Sequence, residues 1–334
     1  MVRLSKLFNS LYQALIFTTL LTNTDEKSNS SPTYARGYDG KAFVEALCSL
    51  THFPALESLV LHFRENDGPF KSNTNGDPSE RDFPGSVILQ FLVFKALADL
   101  PRGFLQPLKS LTIDNYLPLP NPAIGSRSII DLLGNLNHLA IRTTTQCAAF
   151  PMTDPRIEVY GNPLFEKTLV PASLVSLELH HAYVRSAGMT IAIEEIHLPR
   201  LERLSLQRTY FTELGGEKIQ DELEDFIIRH GGTLLALELF LCPMALSNTL
   251  SGGRPSRFRR WGQVWERLNG ELKVLKKLVV SERHDSKGVE DNGVPRYVDN
   301  CYHCNEVKLA EAEIVEDESA LKRFQEKVES RSLQ

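Results

Sequence analysis

The sequence has few cysteines, little net charge and no apolar run of membrane-spanning length. Its five cysteines in 334 residues are an odd number at low density, which does not indicate the disulfide framework of a secreted scaffold. The net charge of −5 gives no general attraction to nucleic acid or to an anionic membrane. We therefore expect a reducing compartment, cytoplasmic or nuclear, with no membrane as the partner, and the charge disfavours a nucleic acid.

The most apolar run extends over residues 7–21 and follows Arg3 and Lys6. Polar residues interrupt it, no small-residue cleavage motif follows it, and it is shorter than the roughly 20 apolar residues of a membrane span. Its large apolar residues recur at helical spacing. We expect a capping helix over residues 1–22 rather than a signal peptide, and a polar loop over residues 23–39.

Motifs that would indicate catalysis are also missing. The sequence contains no G-x-G-x-x-G or G-x-x-x-x-G-K-[ST] phosphate loop, no H-E-x-x-H zinc helix and no G-x-S-x-G nucleophile elbow. We therefore expect no catalytic residue, no cofactor and no bound metal.

A repeated leucine pattern dominates the sequence. Seven segments follow Leu-x-x-Leu-x-Leu/Ile/Val, and they start 27 to 52 residues apart. The segments are Leu56-Leu59-Leu61, Leu108-Leu111-Ile113, Leu136-Leu139-Ile141, Leu174-Leu177-Leu179, Leu201-Leu204-Leu206, Leu234-Leu237-Leu239 and Leu275-Leu278-Val280. The last three positions of each segment alternate apolar and polar, which predicts a short strand with one buried face.

Helical patterns lie between several of these strands and beyond the last one. They cover residues 87–100, 129–133, 217–230 and 309–328. In the third, Ile219, Leu223, Phe226 and Ile227 are predicted to face the core, and Glu222, Glu224 and Arg229 the solvent.

A strand followed by a helical crossover leads to the next strand in parallel, so repetition of this unit predicts an α/β fold. We expect an irregular solenoid of short parallel strands with helical crossovers over residues 40–284, and a C-terminal loop and capping helix over residues 285–334. A compact doubly wound sheet is the alternative, which the repeated triplets disfavour.

The triplets resemble those of the leucine-rich-repeat superfamily, and their irregular spacing resembles that of fungal F-box-like proteins. The resemblance covers residues 56–280 and, loosely, residues 297–324. It implies a non-catalytic protein–protein interaction module that recognises a substrate for a ubiquitin ligase, with the ligase adaptor as a second partner. The Leu-Pro pair that opens an F-box is not found near residue 1, because the four Leu-Pro pairs all lie between residues 100 and 199.

The outward strand positions are predicted to line a concave face that contacts the partner protein. These positions are Ser58, Val60, Ser110, Thr112, His138, Ala140, Ser176, Glu178, Arg203, Ser205, Ala236 and Glu238. Among them Glu178, Arg203 and Glu238 are candidate partner-binding residues. Arg257, Arg259 and Arg260, which lie in a basic and aromatic segment, are further candidates.

Two alternative functions remain open. Cys301 and Cys304, with His303 between them, could form a zinc or redox site, although zinc requires four ligands and no second cysteine pair is present. Arginines interleaved with tryptophans over residues 254–267 could bind RNA. The simpler interpretation of this second segment is a helix in which Trp261 and Trp265 pack on the core.

Two other polar clusters are predicted to be surface features. The acidic residues Glu311, Glu313, Glu316, Asp317 and Glu318 are interpreted as a solvated helix face. His180 and His181 point to opposite sides of the chain, so we interpret them as surface or loop histidines.

Overall fold

The computed structural model describes eleven parts of the chain. They are residues 56–63, 85–99, 108–116, 123–143, 173–180, 196–209, 211, 222–246, 259–281, 297–299 and 309–333. These parts form an α/β fold with one sheet of seven parallel strands, a separate two-stranded sheet and five helices.

The nine described strands and five described helices alternate along the chain. The strands are β1 (Ser58–His62), β2 (Ser110–Tyr116), β3 (His138–Thr143), β4 (Ser176–His180), β5 (Arg203–Gln207), β6 (Ala236–Phe240), β7 (Met244–Leu246), β8 (Lys277–Ser281) and β9 (Tyr297–Asp299). The helices are α1 (Gly85–Asp99), α2 (Arg127–Gly134), α3 (Glu222–Arg229), α4 (Trp261–Glu271) and α5 (Glu311–Ser332).

The large sheet follows the order of the chain, β1-β2-β3-β4-β5-β6-β8. Equivalent residues of the triplets stand opposite one another, so that Leu59 pairs with Leu111, Leu111 with Leu139, and so on to Leu278. The seven short parallel strands predicted from the triplets are therefore confirmed. The remaining strands, β7 and β9, pair in parallel with each other.

A repeated hydrogen-bond arrangement explains the exact alignment of the strands. The carbonyl of Glu57 accepts from the amides of Lys109 at 2.8 Å and Ser110 at 3.0 Å. The carbonyls of Lys109, Asn137, Val175, Glu202 and Leu235 each accept in the same way from two successive amides of the following unit. Each strand therefore starts level with the previous one.

One face of the sheet carries the core. The first leucine of each triplet from the second to the seventh is fully buried. The other two apolar residues of each triplet are also buried in the second to sixth triplets. Leu278 and Val280 of β8 are only partly buried. The helices contribute to the same apolar cluster, for example through Leu132 of α2 and Phe226 of α3.

Several helix predictions are confirmed with modest changes of boundary. Helix α1 ends at Asp99, α2 buries Ile129, and α5 buries Leu321, Phe324 and Val328. Helix α3 is described from Glu222 onwards. Some predictions concern residues outside the described ranges. These residues are 1–39, His181, Ile219, Arg254, Arg257, Cys301, His303 and Cys304.

Two predicted surface carboxylates are buried, and those predictions were wrong. Glu224 is 2% exposed and Asp317 is 1% exposed. Amphipathic spacing identifies the apolar side of a helix but not the polar partners supplied by distant segments. Glu224 meets Arg259 and Arg267, and Asp317 accepts from the Gly262 amide at 2.8 Å. These contacts compensate the burial of each carboxylate.

Candidate functional site

The face of the large sheet opposite the core is the candidate site, and it is called the open face below. Its residues are the outward positions of the seven strands. These positions are half-buried or exposed, whereas the core-facing positions are mostly buried. All twelve positions predicted to point outward lie on this face. A parallel sheet inside a compact α/β domain is normally covered on both faces, so an open polar face is the unusual feature here.

Because the strands are level, the open face consists of three rows of side chains. The first row is Ser58, Ser110, His138, Ser176, Arg203, Ala236 and Lys277. The middle row is Val60, Thr112, Ala140, Glu178, Ser205, Glu238 and Val279. The third row is His62, Asp114, Arg142, His180, Gln207, Phe240 and Ser281.

A charge array of His62, Asp114, Arg142, Glu178 and His180 crosses four of these strands. Arg142 donates through Nε to Glu178 Oε1 at 2.6 Å and through Nη1 to Asp114 Oδ1 at 3.0 Å. His62 Nδ1 lies 3.5 Å from Asp114 Oδ2, and His180 Nδ1 lies 3.2 Å from Glu178 Oε1. One arginine thus holds two carboxylates from the strands on either side of its own.

The array alters the protonation of its members in opposite directions. The hydrogen bond from Arg142 to Glu178 raises the pKa of the guanidinium above its ordinary value. Burial lowers the pKa of His180, even though the nearby Glu178 carboxylate favours its charged form. Arg142 therefore carries the permanent positive charge of the array.

Glu178, His180 and Ser205 stand in the order carboxylate, imidazole, hydroxyl. His180 Nε2 lies 3.1 Å from Ser205 Oγ, and His180 Nδ1 faces Glu178. A serine nucleophile also needs donors for the developing oxyanion. Ser205 is inside β5, where both neighbouring strands pair with the backbone, so its own amides are committed to the sheet. The Ser205 amide is therefore not available as such a donor.

A residue with left-handed backbone conformation comes directly after three of the positions in the third row. Asn115, Arg208 and Leu241 have φ values of 56°, 53° and 50°, and residues with a side chain adopt this region at a cost. The amide of Leu241 donates to the Ser281 carbonyl at 2.9 Å, which fixes the turn. The chain then directs Cys242 inward, where burial raises the thiol pKa to about 12 and leaves it unreactive at neutral pH.

The predicted site residues divide into two groups. Glu178 belongs to the charge array, Glu238 pairs with Lys277, and Arg203 is exposed on the first row. Arg259 and Arg260 lie elsewhere, at the start of α4, where they pair with Glu224 of α3 and Glu316 of α5. The structure therefore does not bring these arginines to the open face, and their role in partner binding stays a prediction.

The aromatic part of the same segment behaves as the simpler interpretation predicts. Trp261 and Trp265 are both fully buried in α4, with ring centroids 4.6 Å apart. Tyr297 accepts from the Trp261 amide at 2.6 Å. The interpretation of these tryptophans as core residues is confirmed.

Sequence reasoning missed the third row. His62, Asp114 and Arg142 were not predicted as site residues, and His180 was interpreted as a surface or loop residue although it ends β4 half-buried. A signal was present, because charged or histidine residues occur immediately after the last apolar position of four successive triplets. Its meaning depends on the strand register, which brings opposite charges side by side.

The geometry defines an α/β protein with one seven-stranded parallel sheet. Comparison with protein-family profiles, with curated proteins and with solved structures gives no match to this chain. Within the described ranges, none of the helices combines the length and apolar character that crossing a bilayer requires.

Proposed function

We propose that this chain is a non-catalytic binding protein whose repeats form an irregular leucine-rich-repeat solenoid and hold a partner protein on the open face. The observation that carries the proposal is the open face itself. Seven level strands present three rows of mostly polar or small side chains, while the opposite face is occupied by the core.

The repetition of the backbone geometry supports the solenoid. Six carbonyls make the same pair of hydrogen bonds to the next unit, and every neighbouring pair of strands in the large sheet is consecutive among its members. In a doubly wound sheet the chain reverses direction across the sheet and helices cover both faces. Strictly sequential order with one covered face is the arrangement of a stack of repeats.

The charges of the open face support binding rather than chemistry. Arg142 is engaged by two carboxylates, and Glu238 by Lys277. Such mutual pairing fixes the positions of long side chains before a partner arrives, which lowers the ordering cost of association. It also leaves little freedom for the proton transfers that a catalytic site performs.

The class of partner is proposed from the resemblance to F-box-like proteins. On that basis the repeats would recognise a ubiquitin-ligase substrate, and the ligase adaptor would be a second partner. This part of the proposal is separate from binding on the open face, because an interaction with the adaptor need not involve the sheet.

The test is a quantitative pull-down with the full-length chain and two tryptophan variants. Ala140→Trp places a large side chain in the middle row, and Val315→Trp places the same side chain on α5, where the valine is 54% exposed. We expect Ala140→Trp to reduce recovery of the specific partner by more than about tenfold, a loss of about 1.4 kcal/mol, and Val315→Trp to leave it unchanged.

Equal recovery with both variants would contradict binding on the open face. Adaptor and cullin are quantified in the same samples. Their enrichment supports the ligase role, and enrichment of a partner without them removes that role while preserving the binding function.

A further inference from the structure

Arg203 differs from the other permanently charged side chains of the open face. In the described part of the chain, Asp114, Arg142, Glu178, Glu238 and Lys277 each have an oppositely charged neighbour on that face. Arg203 is exposed and has no carboxylate within ion-pair distance among the residues that the structure describes. It is therefore an uncompensated cation on a surface whose other permanent charges are paired.

The surroundings of Arg203 leave its guanidinium accessible. Its neighbours in the first row are Ser176 and Ala236, both small, and Ser205 is two residues further along the same strand. The first row contains no acidic residue, and its remaining polar members are hydroxyls, His138 and Lys277. The nearby carboxylates of the middle row are Glu178 and Glu238, which are engaged by Arg142 and Lys277.

We propose that the partner places an acidic segment along the first row, with an aspartate or glutamate carboxylate against Arg203. This inference rests on the proposed function and specifies the chemistry of its partner. Covering an arginine without supplying an opposite charge carries a desolvation penalty. A carboxylate can accept two parallel hydrogen bonds from a guanidinium, which compensates that penalty and fixes the position of the segment.

The same arrangement excludes basic segments. A lysine or arginine laid along the first row would face Arg203, and like charges brought together at an interface disfavour binding. The serine hydroxyls of the row can donate to additional acidic or amide oxygens of the partner. Arg203 is then a specificity-determining residue.

The test uses a displayed library of random 12-residue peptides selected on the immobilised full-length chain. Selected peptides are measured by fluorescence anisotropy against the wild type and three variants. Arg203→Glu reverses the charge at the proposed contact. Arg200→Glu makes the same change in the turn before β5, where Arg200 is exposed. Ser205→Trp obstructs the middle row next to Arg203. Circular dichroism and thermal unfolding establish that each variant folds.

We expect the selected peptides to be enriched in aspartate and glutamate, to bind Arg203→Glu at least tenfold more weakly, and to bind Arg200→Glu like the wild type at matched ionic strength. A second selection on Arg203→Glu should enrich lysine and arginine. These results together support the proposal.

Other outcomes overturn it in distinguishable ways. Peptides that lose binding to Ser205→Trp but bind Arg203→Glu normally leave the open face as the binding site and remove the acidic contact. Peptides unaffected by Ser205→Trp contradict both the contact and the proposed function. Equal weakening by Arg200→Glu and Arg203→Glu shows an effect of total charge only and removes the specific role of Arg203, as does the absence of acidic enrichment.

Discussion

Gly262 occupies a position where any side chain would collide with a buried carboxylate. Its amide donates to Asp317 Oδ1 at 2.8 Å, and an added Cβ would lie 2.6 Å from that oxygen. We predict that Gly262→Ala lowers the free energy of unfolding by about 1–3 kcal/mol, since Asp317 would lose a hydrogen bond while remaining buried. Urea unfolding followed by tryptophan fluorescence measures the change.

Gly270 in the same helix is the matched control. A Cβ there meets nothing within 4 Å, so Gly270→Ala should raise the free energy of unfolding by about 0.5–1 kcal/mol through the better helix propensity of alanine. Equal destabilisation by both substitutions would show that helix α4 tolerates no change, and would contradict the specific contact with Asp317.

His230 is predicted to make stability depend on pH. Its Nδ1 lies 2.7 Å from the Phe226 carbonyl and its Nε2 accepts from the Leu198 amide at 2.9 Å, so both nitrogens are used by the neutral ring. Burial lowers the pKa of His230 from 6.5. The unfolded chain then binds the proton more readily than the folded chain. The contribution of His230 to the free energy of unfolding is therefore fully present above about pH 6.5 and is lost as the pH falls through the folded pKa.

The measurement compares the free energies of unfolding of the wild type and His230→Gln at several pH values between 5 and 7.5. The glutamine amide can replace both hydrogen bonds without titrating, so the wild type should lose more stability on acidification than the variant. The comparison cancels the contribution of Asp317, whose pKa is raised by burial and which therefore acts in the opposite direction. An NMR titration showing that His230 has a pKa at or above 6.5 would contradict the prediction.

At this scale the sequence predicts which apolar residues are buried far better than which polar residues are. Leucine and tryptophan burial follows from spacing alone, because the apolar stripe of a helix or strand must face the core. The burial of Glu224 and Asp317 was missed because their partners are distant in sequence. Arg259 is 35 residues from Glu224, and Gly262 is 55 residues from Asp317. No local pattern encodes such a pairing.

Helices α3 and α4 are joined by a buried carboxylate. Glu224 of α3 accepts from Arg259 Nε at 3.0 Å and from Arg267 Nη1 at 3.2 Å. We predict that Glu224→Gln lowers the free energy of unfolding by about 1–3 kcal/mol, because the buried amide has only one oxygen to accept from the two guanidinium groups and its NH2 group is a donor. Thermal and urea unfolding provide the measurement.

Asp225 supplies the control for this joint. It is the next residue, it is exposed, and it pairs with Arg267 at 2.6 Å. A solvent-exposed pair contributes little, so Asp225→Asn should change stability by no more than about 1 kcal/mol. If the two substitutions change the free energy of unfolding equally, the burial of Glu224 does not determine how much its ion pairs stabilise the contact between α3 and α4.

The order of the elements was predictable, whereas the contacts between the helices were not. The triplets indicated seven strands and the helical spacing of apolar residues indicated α1, α2, α3 and α5, and both agree with the structure. The open face was predicted as a set of positions. The charge array on it was not, because Arg142 acquires its meaning only when β2 and β4 are placed on either side of β3.

If the proposed solenoid is correct, a destabilising core substitution should lower stability mainly in the repeats next to it. Leu111 of β2 and Leu237 of β6 are equivalent positions, and each is at most 1% exposed. Truncation of either to alanine should lower local stability by about 2–5 kcal/mol. In a stack of repeats this loss stays near the substitution, because each unit contacts only its neighbours.

Hydrogen exchange followed by mass spectrometry tests whether the loss of stability stays near each substitution. Leu111→Ala should increase exchange mainly in β1–β3, and Leu237→Ala mainly in β5, β6 and β8. Uniform loss of protection in both variants would indicate one globally cooperative domain, as a compact doubly wound sheet would form, and would remove the solenoid from the proposal.

The level alignment of the strands also makes the sheet a ruler. Neighbouring strands lie about 4.8 Å apart, so the seven strands span about 29 Å from β1 to β8. A partner helix laid across all of them needs about 19 residues, at about 1.5 Å per residue. Because the strands are level, each residue added to a helical partner extends it by the same fraction of the spacing between strands. The length of the partner helix therefore determines how many repeats it can contact.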